Sequence, residues 1–186
     1  ALFADNKNQL WVGTKAGKLF LYKDSELIQQ VLDMKNSGGI HTIFQHRSGK
    51  LWVGTKGQGI YLLEHTAEGF VVVNKFLQSS GDLNNKKSHI YSIVQDKNGT
   101  IWVGTFGGGI IRIDVSADSY RVEEVKCYTA QYPQENFSRI RHLYCDENGL
   151  IWIATTEGLV IFDPRKPSEK EKFKIYRKQV GDQESI

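Results

Sequence analysis

Short apolar segments alternate with polar, turn-rich segments along the whole chain, and the alternation recurs in four copies. The centre of each copy is an apolar pentapeptide built on a tryptophan and ending in threonine. The tryptophans are Trp11, Trp52, Trp102 and Trp152, at spacings of 41, 50 and 50 residues. A unit that returns at such intervals is a supersecondary module that buries its apolar face only by stacking against its neighbours.

Each copy predicts four β-strands. The first strand is apolar on both faces, as in strands buried on both sides, and covers 1–4, 40–45, 90–95 and 140–145. The tryptophan segment is the second strand. A third follows a glycine-bearing turn, at 18–22, 59–63, 109–113 and 158–162. A more polar fourth is predicted at 28–32, 70–76, 124–128 and 173–176. Four antiparallel strands in a unit of about 40–50 residues form a β-propeller blade.

A tight turn joins the first two strands of each unit. In the third and fourth units it contains Asn98-Gly99 and Asn148-Gly149, and Asn-Gly is the strongest short hairpin signal, which predicts positive φ at both residues. The first unit has Asn8 in place of glycine, and the second has His46 where the others have aspartate. These replacements do not change the predicted fold.

The sequence therefore predicts an all-β chain of propeller blades, with repeats at approximately 1–39, 40–89, 90–139 and 140–185. Ala1 falls inside a first strand, and Ile186 would start a further repeat. We expect about four blades excised from a larger propeller. Two alternatives stay open: the four blades close by themselves, since propellers have about 4 to 8 blades, or two copies pair through open strand edges.

The composition excludes only a few classes of function. The 186 residues carry a net charge of +3, with 24% charged residues and no run of five like charges, so the segment is not expected to bind nucleic acid. The two cysteines, Cys127 and Cys145, do not form a disulfide framework, although a single bridge between adjacent blades stays open. No cofactor motif is present.

The repeat resembles the two-component regulator propeller repeat. The third unit carries the resemblance through Asp96, Gly99, Ile101, Trp102, Gly104, Thr105 and Gly109, and the fourth departs from it at Ala154. In that family such repeats build the periplasmic sensor region of hybrid two-component systems in Bacteroides-type gut bacteria. Typically two seven-bladed propellers precede a β-sandwich, a membrane helix, a histidine kinase core, a receiver and a helix-turn-helix domain.

The resemblance implies that this chain is the periplasmic part of an inner-membrane protein. The sensor would bind a polysaccharide fragment, pack against the remaining blades and sensor domains of its parent, act as a homodimer and control genes for glycan use. The runner-up interpretations are a propeller lyase or hydrolase acting on glycans and a protein-interaction scaffold.

Motifs for catalysis or metal binding are weak. The repeated tryptophan is best explained by packing between blades. A calcium loop starting at Asp96 would need a glutamate at its twelfth position, where Gly107 stands. His142 and Cys145, three apart on a strand, point to opposite faces and do not suit one metal ion. We therefore expect no enzymatic activity and no metal site in this chain.

One constellation points to ligand binding. In a propeller, the loops between second and third strands and the loops between successive blades open on the same face. These loops are rich in basic residues and poor in acids, and Arg141 and His41 lie just inside the inner strands. The ordinary interpretation is a set of solvated lysines. The functional interpretation is a site for an anionic saccharide, in which Arg and Lys pair with its carboxylate or sulfate and Phe106 or Tyr91 supplies a stacking face. The predicted ligand-binding residues are Lys15, Lys56, Lys86, Lys87, His89, Phe106, Arg139 and Arg141.

Overall fold

A computed structural model describes residues 1–34, 38–78, 86–115, 122–127, 139–166 and 173–176, without the side chains of Lys86 and of 122–127. The chain divides into two compact units, Ala1–Ile93 and Val94–Ile186. Ile186 and the side chain of Cys127 lie outside the described residues. Each unit is built on antiparallel sheets of four strands, and the chain is an all-β protein made of β-propeller blades.

The first unit holds two complete blades, in each of which the strands follow chain order. Blade 1 contains β1 (Leu2–Ala4), β2 (Leu10–Gly13), β3 (Lys18–Lys23) and β4 (Glu26–Asp33). Blade 2 contains β5 (Ile40–Gln45), β6 (Leu51–Thr55), β7 (Ile60–Thr66) and β8 (Gly69–Phe76). A short 3-10 helix, Lys86–Ser88, follows β8.

The other two blades have the same order. Blade 3 contains β9 (Ile90–Gln95), β10 (Ile101–Thr105), β11 (Ile110–Val115) and β12 (Val122–Cys127). Blade 4 contains β13 (Ile140–Cys145), β14 (Ile151–Thr155), β15 (Leu159–Phe162) and β16 (Phe173–Tyr176). The strand predictions are confirmed to within a few residues at their ends.

The turn between the first two strands differs from the predicted type. Positive φ occurs at Gly99 and Gly149 but not at the asparagines before them, so the expectation of positive φ at both residues was wrong. Gly99 donates its N–H to the carbonyl of Asp96 at 3.1 Å, while the N–H of Asp96 donates to the carbonyl of Thr100 at 3.0 Å. This is a type I turn closed by a residue in the left-handed region, the longer hairpin connection, and glycine or asparagine fits that one position.

The core of the first unit lies between blades 1 and 2. Trp11 is fully buried and meets Phe70 edge-on, with ring centroids 4.6 Å apart. A Cβ on Gly13 would lie 2.4 Å from Cγ2 of Ile40, so only glycine lets the inner strand of blade 2 come this close. The repeated glycine after the tryptophan is thus a packing requirement of the following blade.

The second unit repeats this arrangement between blades 3 and 4. Trp102 meets Phe162 edge-on at 5.2 Å, and a Cβ on Gly104 would lie 2.6 Å from Cγ2 of Ile140. In blade 4 the corresponding residue is Ala154, which is exposed. Among the described residues of this unit no further inner strand packs on Ala154, so the methyl group is tolerated there.

A carboxylate fixes three of the four tryptophans. Indole Nε1 donates to the aspartate six residues earlier in the pairs Trp11–Asp5, Trp102–Asp96 and Trp152–Asp146, at 2.8–2.9 Å. The other carboxylate oxygen accepts two backbone N–H groups of the turn, as Asp96 does from Asn98 and Thr100. One side chain therefore closes the turn and orients the tryptophan, and we call this arrangement the Asp–Trp clasp.

Candidate functional site

Within each unit, the loop between the second and third strands lies beside the residues that lead into the next blade. In the first unit Lys56 forms an isolated antiparallel bridge with His89, and in the second Phe106 forms one with Arg139. The two sets of loops that the sequence predicted on a common face are therefore brought together at these two places. The predicted residues Lys56 and His89 are neighbours in one unit, as are Phe106 and Arg139 in the other.

Gly38 and Gly39 hold the first-unit loops in place. Gly38 has φ of +107°, and a Cβ there would lie 2.0 Å from the carbonyl oxygen of Lys56. Gly39 accepts the N–H of Lys56 at 2.9 Å, and a Cβ on Gly39 would lie 3.0 Å from the carbonyl oxygen of Lys15. Only glycine permits such close approach of three backbone segments. The two lysine-bearing loops are thus fixed to one another by backbone contacts.

Between these loops lies a cleft of about 960 Å³. Its ionisable side chains include Lys15, Lys56, His41 and His89, and neither Asp nor Glu occurs among the described residues that line it. Gln58 and Ser88 add neutral polar groups. Since basic side chains line the cleft without acids to neutralise them, its electrostatic potential favours anions. We call it the basic cleft.

His41 lies where the inner strand leaves the regular ladder. Ile40 pairs with Thr55 and Thr42 pairs with Gly54, so His41 is the extra residue of a β-bulge. A bulge redirects the side chain of the additional residue, and His41 is exposed, with its ring 4.5 Å from that of Tyr91. Partial burial of the imidazole, followed by the charges of Lys56 and His89, lowers the pKa of His41 below its ordinary value.

The second unit gathers two arginines on one aromatic ring. The guanidinium carbon of Arg141 lies 4.7 Å from the ring centroid of Phe106, and that of Arg139 lies 5.9 Å from it. Arg141 is itself the extra residue of a bulge, since Ile140 and His142 hold successive places in the ladder. The Phe106 ring contacts both guanidinium groups, a favourable cation–π arrangement. We call these three residues the arginine pair on Phe106.

The two remaining predicted residues lie just before the inner strand of blade 3. Lys86 and Lys87 belong to the 3-10 helix before β9, and Lys87 is exposed. Lys87 is absent from the described lining of the basic cleft. The predicted set therefore separates into Lys15, Lys56 and His89 in the first unit, the arginine pair on Phe106 in the second, and the two helix lysines.

Sequence reasoning mentioned His41 and left it out of the predicted binding residues. The signal was available in the repeat itself. In three units the inner strand begins with isoleucine. The next residue differs from unit to unit: it is His41, Tyr91 or Arg141. A variable residue in a constant frame is released from the packing requirements of the fold, which makes it available for contacts outside the blade.

The described residues contain no group of three His, Cys, Asp or Glu side chains placed to hold a metal ion. The thiol of Cys145 is free and half-buried, and burial, with the charges of Asp96 and Asp146, raises its pKa. Within the described part of the chain, no helix is sufficiently long and apolar to cross a bilayer.

Comparisons with solved structures give the same fold. The chain is similar to the extracellular domain of BT3049 from B. thetaiotaomicron, assigned as a hybrid two component system, with 24% identity and a TM-score of 0.73 over 99% of this chain and 23% of that one. The corresponding domain of BT4673 from the same organism gives 21% identity and a TM-score of 0.70, covering 97% and 24%. The chain thus spans about a quarter of the length of either structure.

A lyase shares the fold at lower identity. Virginiamycin B lyase from Staphylococcus aureus is 14% identical with a TM-score of 0.66, over 97% of this chain and 55% of that chain. No curated protein matches the chain. These likenesses establish the fold, and they leave function to be argued from the residues.

A family model matches three of the repeats. The model of the two component regulator propeller matches three stretches, residues 35–57, 86–107 and 134–157. The matches cover the tryptophan segments of blades 2, 3 and 4 together with the whole inner strands before them. Three of the four blades therefore carry two component regulator propeller repeats.

Proposed function

We propose that this chain is part of the extracytoplasmic sensor domain of a hybrid two-component histidine kinase and response regulator. It binds a polysaccharide-derived ligand and transmits a signal that controls genes for glycan use. The observation that carries the proposal is the basic cleft, a recess free of described carboxylates on a scaffold of regulator propeller repeats. The likeness to extracellular domains of two component systems supports an extracytoplasmic, periplasmic location.

The basic cleft suits an oligosaccharide that carries carboxylate or sulfate groups. Lys15 and Lys56 supply ammonium donors for the anion, while Gln58 and Ser88 supply neutral polar groups for hydroxyls. The backbone contacts of Gly38 and Gly39 fix the loops before the ligand arrives, which reduces the ordering cost of binding. The arginine pair on Phe106 offers a further basic contact in the second unit.

The proposed signal is a change in domain or dimer geometry of the parent. A ligand shifts such an equilibrium only by its difference in affinity for the two states. The other blades, further sensor domains and a second protomer of the parent are therefore the partners proposed for this chain. None of these partners is required for the binding test below.

Calorimetry of the chain with matched oligosaccharides tests the function. Uronic-acid or sulfated oligosaccharides and uncharged ones of equal length are titrated into the chain. We expect a charged ligand to bind, and the double variant Lys15→Ala, Lys56→Ala to weaken it at least about tenfold, since each lost charge-assisted contact contributes about 1.5–3 kcal/mol when it is well formed. The control is Lys23→Ala with Lys166→Ala, two exposed lysines that do not line the cleft.

A lyase or hydrolase activity is the second candidate, favoured by the shared fold of virginiamycin B lyase. General acid–base chemistry at this cleft would fall to His41 and His89, because the described lining holds no carboxylate. Incubating the chain with the same oligosaccharides and following product formation separates the two functions. Turnover that is lost in His41→Gln and His89→Gln would replace the sensor assignment, whereas binding without turnover supports it. A chain that binds proteins but no saccharide would instead be an interaction scaffold.

A further inference from the structure

We propose that the basic cleft is a proton-linked anion site, in which binding of an anionic group between Lys15 and Lys56 is coupled to protonation of His41. This inference rests on the proposed function and adds to it a dependence of ligand affinity on pH. The ligand class is a saccharide bearing a permanent negative charge, such as a sulfate ester. The coupling resides in one side chain and is therefore separable from binding itself.

The groups that face His41 are basic or neutral. Lys56 approaches from the β6–β7 loop and His89 from the residues before β9. Lys15 lines the same cleft from the β2–β3 loop, and the ring of Tyr91 contacts His41 from β9. No Asp or Glu lies among the described lining residues. Among the described residues that line the cleft, an imidazolium at His41 thus has several positive neighbours and no negative one.

An anion changes this balance. Its negative charge offsets the positive charges around His41, so that the imidazolium becomes favourable once the anion is bound. The proton comes from solvent and is released when the anion leaves, and no covalent bond forms or breaks. Since the anion raises the affinity of His41 for a proton, the proton raises the affinity for the anion by the same factor.

The geometry prepares His41 for this role. As the extra residue of the bulge, His41 is not paired in the β5–β6 ladder, and its side chain is exposed towards the cleft that it lines. Burial and the neighbouring positive charges lower the pKa of His41, so the ring is neutral near pH 7 before the anion binds. The ordinary pKa of histidine lies near neutral pH, so a change in its electrostatic surroundings readily changes its charge.

The experiment uses a pair of ligands that share one sugar backbone and differ in sulfation. Dextran sulfate oligosaccharide and uncharged dextran of equal length are titrated into the chain from pH 5 to pH 8 at constant ionic strength. Sulfate esters stay ionised over this range, so a change in Kd reports the protein. We expect Kd for the sulfated ligand to rise with pH, by at most about tenfold per pH unit for one linked proton. Two buffers of different ionisation enthalpy count the protons taken up.

Variants assign the proton. We expect His41→Gln to flatten the dependence of Kd on pH, because glutamine keeps a polar side chain without titrating. His46→Gln is the matched control, since burial also lowers the pKa of His46 but this residue does not line the basic cleft. Lys56→Ala is expected to weaken binding at every pH. A slope that survives in His41→Gln and disappears in His89→Gln would overturn the assignment to His41.

The outcomes distinguish this inference from the proposed function. A sulfated ligand that binds with the same Kd at pH 5 and pH 8 overturns the proton linkage and leaves an anion site. Binding that is unaffected by Lys15→Ala and Lys56→Ala places the ligand elsewhere and also overturns it. If a neutral or uronic-acid oligosaccharide binds while dextran sulfate does not at any pH, the inference fails and the sensor function stands.

Discussion

The first turns of blades 2 and 3 have the same backbone and different side chains. In blade 3, Asp96 closes the turn and accepts the indole N–H of Trp102 at 2.9 Å. In blade 2, His46 occupies that place, and its Nδ1 contacts Ser48 Oγ at 2.7 Å. The backbone bonds are nevertheless equivalent, since the N–H of His46 donates to the carbonyl of Lys50 at 2.9 Å, as that of Asp96 does to Thr100 at 3.0 Å.

The two tryptophans differ as a result. Trp102 and Trp52 are both 2% exposed. Trp102 is fixed by its clasp and meets Phe162 of the next blade edge-on, whereas Trp52 stacks on Phe76 of its own blade at 5.2 Å and 15°. Among the described residues no hydrogen-bond acceptor lies at Nε1 of Trp52. The comparison teaches that the backbone turn does not depend on the clasp, and that the clasp is an additional, local source of stability.

Removing the clasp from blade 3 should have the largest effect. Asp96→Ala removes the acceptor of three hydrogen bonds and leaves the buried N–H groups of Trp102 and Thr100 without it. Bonds to a charged acceptor contribute about 1.5–3 kcal/mol, and a stranded buried donor costs about 1–3 kcal/mol. We expect a loss of about 3 kcal/mol in the free energy of unfolding, measured by urea denaturation with tryptophan fluorescence.

The matched variant in blade 2 is His46→Ala. It removes a contact within the turn and strands no tryptophan, so we expect a loss of no more than about 1 kcal/mol. Equal losses in the two variants would mean that the Asp–Trp clasp contributes nothing beyond the turn. That result would contradict the separation of backbone turn and clasp.

Installing the clasp in blade 2 should have an intermediate effect of opposite sign. His46→Asp offers a carboxylate to the unpaired N–H of Trp52 and to the turn N–H groups at the spacing used by the other three blades. We expect a gain of about 1 kcal/mol in the free energy of unfolding, the net contribution of one such bond. The control is His46→Asn, which supplies an uncharged acceptor and should gain less. No gain in His46→Asp would show that Trp52, stacked on Phe76, lies out of reach.

The strands and the turn type show what could be predicted from sequence. The strands could be predicted from the apolar segments that recur around Trp11, Trp52, Trp102 and Trp152. A strand assigned in one unit had to be consistent with the equivalent segment of the other units. The turn type was mistaken, since Asn-Gly occurs in two kinds of hairpin that differ in which residue has positive φ. The clasp was missed although a six-residue interval from aspartate to tryptophan recurs in three units. The spacing alone does not show that the indole N–H of the tryptophan donates a hydrogen bond to the aspartate of the preceding turn.

Part of the geometry of the candidate site could also be predicted from the sequence. Topology alone places Lys56 beside His89, and Phe106 beside Arg139, because these loops are neighbours in any propeller. The close approach of Gly38 to the carbonyl of Lys56 depends on the backbone conformation of the loop, which could not be predicted from residue types alone. The bulge that exposes His41 depends on register, which a single strand sequence leaves open.

The pH dependence of stability should give the smallest effect, and it belongs to the blade 2 turn. Burial, and then the charge of Arg47, lowers the pKa of His46 below its ordinary value of 6.5. The unfolded chain then binds this proton more readily, so stability is complete above about pH 6.5 and falls as the pH drops below that value. Aspartates with lowered pKa, such as Asp146, lose their contribution only at more acidic pH, near and below their ordinary value of 3.8.

Urea midpoints between pH 8 and pH 5 measure this effect. His41 also has a lowered pKa and contributes with the same sign, so the comparison is made in a His41→Gln background. We expect adding His46→Asp to reduce the remaining loss of stability on acidification, because a carboxylate does not gain its proton in that range. A loss that is unchanged by His46→Asp would place the responsible group outside the blade 2 turn. It would then show that the two turns differ in hydrogen bonding but not in their response to protons.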